Sequence, residues 1–149
     1  MGRIGRKFET LKTKGQKALV VYIMGGDPNL ELTEELIPFL AELGVDLVEI
    51  GVPFSDPLAD GPTIQAAGQR ALKTTLPQLV EMVARLRPKV DIPLLFMTYL
   101  NPVMHRTYDR FVSEIAGAGL DGVIIPDLTP EEGTDLIQAL KAHKIDFIP

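Results

Sequence analysis

The sequence predicts an α/β fold in which the strands of a parallel sheet alternate with helices. Apolar runs of strand length recur along the chain, separated by stretches with apolar residues at helical spacing. The runs are continuous, as expected for strands buried on both faces of a parallel sheet. A Gly-apolar-Asp-x-Val-x-Ile pattern occurs at residues 44–50 and 119–125, with a weaker copy at 144–148. A repeated turn followed by a strand is typical of stacked βα units.

The first elements follow from apolar spacing and from the glycines that end helices. A short leading helix is predicted to end at Gly15, and the helix after the first strand is predicted to end at Gly44. Pro38 lies inside this second helix and predicts either a kink or a later start. The apolar face predicted for the second helix consists of Leu32, Leu36, Leu40 and Leu43.

The later elements are bounded by proline, glycine and capping residues. Thr129-Pro130-Glu131-Glu132 has the residue types of an N-cap, a first helical proline and a capping box, so a helix is predicted from there to about His143. The predicted strands are 18–24, 46–52, 92–99, 122–126 and 145–148, and the remaining predicted helices are 63–73, 76–87 and 108–117.

An open doubly wound sheet and a closed barrel are both built from βα units. No Gly-x-Gly-x-x-Gly follows a predicted strand, which disfavours an open dinucleotide-binding sheet. A closed barrel of eight units needs about 250 residues. The chain supplies four units and the start of a fifth strand. We therefore expect residues 1–149 to form one partial domain, the first part of a (β/α)8 TIM barrel, without a second domain.

The composition excludes several classes of function. The net charge is −5 and the basic residues are scattered, without the basic stripe of a nucleic-acid-binding surface. No apolar run approaches the roughly 20 residues of a membrane-spanning helix, and none follows the basic start as in a signal peptide. The lack of cysteine excludes disulfides and thiolate chemistry. We expect a cytoplasmic protein without a nucleic-acid or membrane partner.

Glu49 interrupts the apolar second strand. Side chains alternate along a strand, so Val48 and Ile50 are predicted to face the helices and Glu49 to face the inside of the barrel, where active sites lie. Burying even a neutral polar group without a partner costs roughly 2–7 kcal/mol, so this carboxylate requires an explanation. A salt bridge inside the barrel is one explanation, but no predicted strand offers a lysine or arginine. Catalysis is the explanation that the sequence favours.

The loop of residues 53–62 follows Glu49 closely and contains Asp56 and Asp60 among prolines. Aspartates in such a loop can be ordinary turn formers. A second carboxylate above the same pocket instead favours acid–base chemistry in which two groups hold different protonation states. We therefore predict that Glu49 and one of these two aspartates form an acid–base pair, with no metal site.

The unbroken stretch from Glu49 to Gln65 resembles the signature of the tryptophan synthase alpha subunit family. Gly26-Asp27-Pro28 after the first strand and Tyr99-x-Asn101-Pro102 after the third strand match the family too. Pro126-Asp127-Leu128 is a similar but less distinctive match. The resemblance covers essentially all of this chain and the front part of the family's barrel.

The resemblance implies a lyase of tryptophan biosynthesis that cleaves indole-3-glycerol phosphate to indole and glyceraldehyde 3-phosphate by a retro-aldol reaction. In the family, the residue matching Glu49 is the general acid–base, and the residue matching Asp60 stabilises the protonated indole ring. Among the positions that match the family's substrate pocket, Met97 could equally be a core residue of the barrel. The positions that match the apolar indole pocket are Tyr22, Ile64, Met97 and Tyr99.

The resemblance also implies a beta-subunit partner that carries pyridoxal phosphate, in an alpha2-beta2 type heterotetramer, and no cofactor on this chain. The Gly-rich loops that bind phosphate in the family have no counterpart in this sequence, and Asp27 would repel phosphate. We therefore expect this chain alone to be inactive and to associate through open sheet edges. The positions that match the docking surface are Asp56, Pro57, Asn101, Pro102 and Met104.

Two other functions remain open from the sequence. One is another phosphate-handling barrel, such as a sugar-phosphate isomerase or the preceding indole-forming synthase. Such enzymes would need a lysine or a second glutamate at a strand end, which this sequence lacks. The other is a non-catalytic module that docks to a beta subunit, and the presence of both Glu49 and Asp60 argues against it.

Overall fold

The computed structural model describes residues 1–149 and contains a single sheet of five parallel strands, ordered β1-β2-β3-β4-β5. Each strand lies beside the next one in sequence, as in the wall of a barrel, whereas a doubly wound sheet reverses its order at a switch point. The strands are β1 (Val20–Met24), β2 (Leu47–Gly51), β3 (Leu94–Met97), β4 (Gly122–Ile124) and β5 (Asp146–Ile148). The predicted part of a TIM barrel is confirmed.

Seven helices accompany these strands. None of them combines the length and the apolar character that crossing a membrane requires. The helices are α1 (Arg3–Thr13), α2 (Leu30–Glu42), α3 (Pro62–Ala71), α4 (Leu76–Leu86), α5 (Leu100–Met104), α6 (Tyr108–Ala118) and α7 (Thr134–Ala142).

The outer face of the sheet packs against the helices and forms the core. Val48 and Ile50 of β2 are fully buried there, as the alternation along the strand predicts. Phe96 of β3 and Phe111 of α6 belong to the same cluster. Burying one such side chain contributes roughly 1.5–3 kcal/mol, so the packing of this face stabilises the fold. Because side chains alternate along a strand, this packing also places the intervening residues, including Glu49, on the inner face of the sheet.

Helix α1 covers the inner face at the amino ends of the strands. A Cβ built on Gly122 would lie 3.0 Å from Cδ1 of Ile4, so α1 lies close against β4. The carboxyl ends of the strands remain open, and this is the end at which barrel enzymes place their active sites. The ion pairs that hold α1 join Arg3 to Asp121 (3.1 Å) and Lys7 to Asp46 (3.4 Å).

The aspartate of the repeated sequence pattern joins the starts of neighbouring strands. Asp46 Oδ2 accepts a hydrogen bond from the Leu19 N–H (2.9 Å), just before β1. Asp121 Oδ2 accepts one from the Leu94 N–H (3.0 Å), at the start of β3. The two copies therefore share a structural role at the amino end of the sheet, which explains why the pattern repeats.

The first residue of the pattern forms the turn that ends a helix. Gly44 and Gly119 have φ values of +91° and +83°, in the left-handed region that favours glycine. Lys144 occupies the same place in the weaker copy, with φ of +61°. The three copies thus end their helices with the same backbone conformation, and only the third uses a residue other than glycine.

The face predicted for α2 is wrong at both ends. Leu32 and Leu43 are 45% and 66% exposed, and the buried residues are Thr33 and Ile37. Thr33 Oγ1 accepts a hydrogen bond from the Gly26 N–H (2.9 Å), so a polar side chain takes an inward position that apolar spacing cannot reveal. The helix begins at Leu30 and continues through Pro38, so the proline does not mark a later start.

Two further predictions need correction. Helix α5 lies between the predicted third strand and the helix predicted at 108–117, where no element was predicted. Helix α7 begins at Thr134 and not at Pro130. The predicted cap does form, because Thr129 Oγ1 accepts from the Glu132 N–H (3.3 Å) and donates to the Glu132 carboxylate (2.9 Å). It closes only a separate turn, since Gly133 intervenes before the helix.

Candidate active site

Glu49 lies in the middle of β2 on the inner face of the sheet. Its neighbours in register are Tyr22 on β1 and Leu95 on β3. The residue is half-buried, and no lysine or arginine of the chain forms an ion pair with it. Burial raises the pKa of the Glu49 carboxyl, with no hydrogen bond or cation acting in the other direction. The salt bridge that the sequence left open is not formed within this chain.

Tyr22 lies across the inner face, from its place beside Glu49 toward the carboxyl end of β2. A Cβ built on Gly51 would lie 2.1 Å from the Tyr22 hydroxyl oxygen and 2.7 Å from its Cζ, so glycine is required to make room for the ring. Burial, followed by the charges of Asp60, Tyr99 and Glu49, raises the pKa of the Tyr22 hydroxyl. This hydroxyl therefore keeps its proton, and the charges of both predicted catalytic carboxylates act on it.

Asp60 lies in the loop between β2 and α3 and is half-buried. The loop is held by other groups: the Ala59 N–H donates to the Tyr99 hydroxyl (2.9 Å), and the Gln65 side-chain amide donates to the Asp60 carbonyl oxygen (2.9 Å). Helix α3 has Gly61 as its N-cap, without a side-chain capping bond. The turn-former interpretation thus does not account for the Asp60 carboxylate.

The two carboxyl groups have different environments. Burial raises the pKa of both, which brings each closer to the range useful for acid–base catalysis. The neighbouring Tyr99 hydroxyl lowers the pKa of the Asp60 carboxyl in part, whereas no group lowers the pKa of Glu49. Burial therefore acts without opposition on the Glu49 carboxyl but not on that of Asp60, a difference in environment of the kind that a pair with divided roles uses.

The other residues predicted for the pocket lie around this pair, but they do not all face the same space. Met97 is half-buried on the inner face, in register with Gly51. Ile64 and Tyr22 line a cavity of about 230 Å³ beside β1. Tyr99 follows β3, is 5% exposed, and directs its hydroxyl to the loop that carries Asp60.

Three neighbours of the site were not identified from the sequence. Leu95, 3% exposed, flanks Glu49, and the alternation along the third strand could have found it. The Phe54 ring lies 5.3 Å from that of Tyr99, between centroids. Asp127 Oδ1 accepts a hydrogen bond from the Leu100 N–H (2.9 Å). No local pattern indicates the last two contacts, because their partners are distant in sequence.

Asp27, interpreted from the sequence as repelling phosphate, is paired in the structure. The Arg70 guanidinium donates to both of its carboxylate oxygens, at 2.8 and 2.7 Å. These hydrogen bonds lower the pKa of the Asp27 carboxyl. Its charge is therefore offset by Arg70, which the sequence interpretation did not anticipate.

The residues predicted for partner docking lie on the loop after β2 and on α5 after β3. The Tyr99 hydroxyl connects the two segments through its contact with Ala59. Asp56 and Asn101 are exposed, Met104 is 63% exposed, and Pro57 and Pro102 are half-buried. Leu58, 84% exposed, adds a further apolar group to the first segment. The two segments thus offer an accessible surface at the carboxyl end of the sheet.

Parallel strands in sequential order define a TIM-barrel protein, with one half-buried carboxylate on the inner face of the sheet and another in a loop at its open carboxyl end. The family model described as tryptophan synthase alpha chain matches residues 8–149. The chain belongs to this family, and the resemblance drawn from its motifs is confirmed.

Relatives and solved structures agree with this assignment. The tryptophan synthase alpha chain of Geobacter sulfurreducens is 48% identical, over 99% of this chain and 57% of that protein. That of Carboxydothermus hydrogenoformans is 48% identical, over 100% and 57%. Tryptophan synthase subunit alpha from Legionella pneumophila has a TM-score of 0.94 at 39% identity, over 99% and 57%. The chain spans 57% of the length of these two curated relatives.

Proposed function

We propose that this chain supplies the acid–base site of a tryptophan synthase alpha subunit, a lyase that cleaves indole-3-glycerol phosphate to indole and glyceraldehyde 3-phosphate. The observation that carries the proposal is the position of Glu49. It lies on the inner face of a central strand, half-buried and without a cation, within the same group of side chains as Asp60. A purely structural carboxylate would be expected to have partners.

The reaction needs two proton movements. The indole leaves as a carbon acid, so its C3 must be protonated, and a hydroxyl of the glycerol chain must be deprotonated. Glu49, whose pKa is raised by burial, is suited to exchange these protons. Asp60, where the Tyr99 hydroxyl opposes part of the rise in pKa caused by burial, is suited to stabilise the positive charge that develops on the indole ring.

The substrate would lie against the apolar inner face. Tyr22 and Met97 present side chains beside Glu49 and Gly51, and Ile64 lies next to Tyr22. Tyr99 borders this space through its ring. In this proposal the indole ring occupies the apolar surface, with its reacting carbon directed toward Glu49.

The proposal includes a partner. Asp56, Pro57, Asn101, Pro102 and Met104 would contact a beta subunit in an alpha2-beta2 type complex, and pyridoxal phosphate would belong to that subunit. The surface formed by these residues is accessible and adjoins the loop that carries Asp60, which supports this role. We further propose that the protein is cytoplasmic and that this chain binds no cofactor of its own.

A second candidate is that residues 1–149 alone dock a partner but do not catalyse. The matched relatives are longer, since the chain covers 57% of each of the first two. The sequence contains no Gly-rich loop for the substrate phosphate. Binding energy from such a remote group normally helps to position the reacting centre, so its loss would reduce turnover.

The test uses a full-length protein, made by joining this chain to the remaining part of the Geobacter sulfurreducens relative. Glu49→Gln keeps the shape of the side chain and removes its proton transfer, which is worth roughly 10²–10⁴-fold in rate. We expect indole release from indole-3-glycerol phosphate to fall by at least about a hundredfold, with substrate binding retained. Turnover within about tenfold of the parent would contradict the role of Glu49.

A further inference from the structure

The loop between β1 and α2 is held by contacts with three other elements at the carboxyl end of the sheet. The Gly25 N–H donates to the Gly51 carbonyl oxygen of β2, and the Gly26 N–H donates to Thr33 Oγ1 of α2, both at 2.9 Å. A Cβ built on Gly25 would lie 2.7 Å from Leu79 Cδ2, so the loop backbone also packs closely against α4. The loop therefore offers a fixed point against which another element can be placed.

Helix α3 contacts this loop through a bidentate ion pair. Arg70, in the last turn of α3, donates to both Asp27 carboxylate oxygens, from Nε at 2.8 Å and from Nη2 at 2.7 Å. The buried residues of α3 are Gly68 and Ala71, and a Cβ added at Gly68 would lie 3.5 Å from Met24 Cε of β1. Such small residues bury little apolar area, so the ion pair is the directional contact that sets the helix on the loop.

The other end of α3 continues into the candidate site. Asp60 lies just before the helix, and the Gln65 side-chain amide donates to the Asp60 carbonyl oxygen (2.9 Å). Ile64, in the first turn, lines the cavity of about 230 Å³ together with Tyr22 and Asp27. A helix of ten residues moves as one body about 15 Å long. A displacement at its last turn is therefore passed to the residues of the site.

We propose that Arg70 and Asp27 are positioning residues, whose ion pair holds α3 on the loop after β1 and thereby places Asp60 and Ile64 against the inner face of the sheet. This inference rests on the proposed function, because it concerns the same site. The pair acts through the helix and through the loop after β2, and not through contact with the reacting atoms.

The exposure of the pair separates positioning from stability. The Arg70 side chain is 58% exposed and the Asp27 side chain 17% exposed. An ion pair that is exposed to solvent on one side contributes little to the free energy of unfolding. A modest shift of a group that acts on the transition state can nevertheless reduce the rate strongly. Loss of the pair should therefore affect turnover much more than unfolding.

The test is Arg70→Ala in the full-length protein, with kcat and KM for indole-3-glycerol phosphate and the amide hydrogen exchange of residues 60–66 as measurements. Alanine keeps the helix propensity and removes the guanidinium. Since a misplacement of about 1 Å can cost on the order of a hundredfold in rate, we expect kcat to fall by about tenfold. The change in KM should be smaller, because Asp60 acts on charge that develops in the transition state. Exchange at residues 60–66 should become faster.

Arg85→Ala is the matched control. Arg85 of α4 also donates to both oxygens of a carboxylate, that of Glu34 in α2, and its side chain is 49% exposed. This pair has no contact with α3 or with the loop after β1, so its loss should leave kcat and the exchange of residues 60–66 unchanged. The unfolding temperature should fall by a similar small amount in both variants. A clearly larger fall for Arg70→Ala would assign the pair to stability and overturn the inference.

A double-mutant cycle with Asp27→Asn tests whether the two residues act as a pair. In the Arg70→Ala background, Asp27→Asn should have little further effect, because its partner is already gone. Parent-like kcat or parent-like exchange in Arg70→Ala, or an equal loss for Asp27→Asn in both backgrounds, would overturn the inference. If Glu49→Gln abolishes turnover while Arg70→Ala matches the parent, only this inference fails. If Glu49→Gln remains active, the proposed function fails, and the exchange of residues 60–66 still tests the pair.

Discussion

The two ends of the sheet hold carboxylates in opposite environments. At the amino end, Asp46 and Asp121 each accept a backbone N–H from a neighbouring strand and pair with a cation from α1. At the carboxyl end, Glu49 and Asp60 are half-buried without a cation. Among these four residues, the same chemical group thus has a cationic partner at one end of the sheet and none at the other.

This difference assigns the carboxylates at the amino end to stability and those at the carboxyl end to function. A carboxylate with partners fixes the strands and α1, and its removal should affect folding. A carboxylate without partners has a raised pKa and contributes little to folding, and its removal should affect the reaction. Asp46 directly precedes β2 and Glu49 lies three residues later within that strand, yet the two carboxylates belong to these two classes.

Asp121→Ala tests the amino end and should have the largest effect on stability. Asp121 is 7% exposed and bridges Arg3 and Arg87, each at 3.1 Å. Removing one member of a buried ion pair costs roughly 3–5 kcal/mol, since the remaining charge is left without a partner. Chemical denaturation of the full-length protein should show a loss in that range. Asp91→Ala, at an exposed partner of Arg3, is the control and should cost less than about 1 kcal/mol.

If Asp121→Ala costs no more than its exposed control, the amino end does not carry the stability assigned to it. The comparison between the two ends would then rest on burial alone.

Gly51→Ala tests the carboxyl end through packing. The added Cβ would meet the Tyr22 hydroxyl at 2.1 Å and force the ring away from Glu49. Overpacking of this kind costs roughly 1–3 kcal/mol, and we expect turnover to fall as well, because Tyr22 and Glu49 shift together. Thermal unfolding and steady-state kinetics would measure the two effects. Gly117→Ala, in α6 with no atom within 4 Å of the added Cβ, should be neutral or slightly stabilising.

A Gly51→Ala protein with parent-like turnover would show that Tyr22 can move without disturbing the site. Leucine in place of Tyr22 should then remove any remaining stability cost of Gly51→Ala, because the ring that the Cβ meets is absent.

The order of the elements and the side of the sheet on which Glu49 lies could be predicted from the sequence. Both depend on local periodicity: continuous apolar runs mark parallel strands, and alternation along β2 fixes the inner face once Val48 and Ile50 are placed against the helices. The catalytic pairing of Glu49 with Asp60 stays a prediction: the pattern indicates a carboxylate in the strand and a second one in the adjoining loop, and the resemblance singles out Asp60.

What could not be predicted depends on contacts between distant residues. The inward face of α2 is set by the hydrogen bond between Thr33 and Gly26, and apolar spacing alone placed Leu32 and Leu43 there instead. The structural role of Asp121 needs Arg3 from the first helix, 118 positions away. The contact of Tyr99 with Ala59 spans 40 positions, so the sequence indicated only an aromatic pocket residue.

The most direct test of the two-end comparison is a carboxyl-carbon NMR titration of Glu49 in the full-length protein. Glu49→Gln assigns its signal, and Asp27, whose pKa is lowered by Arg70, serves as the internal reference for a carboxylate with a partner. The structure predicts a Glu49 pKa above the ordinary glutamate value of about 4.3, with Asp27 below the ordinary aspartate value of about 3.9. A Glu49 pKa at or below its ordinary value would show that the carboxylate has a stabilising partner, and would contradict its assignment as the unpaired acid–base group.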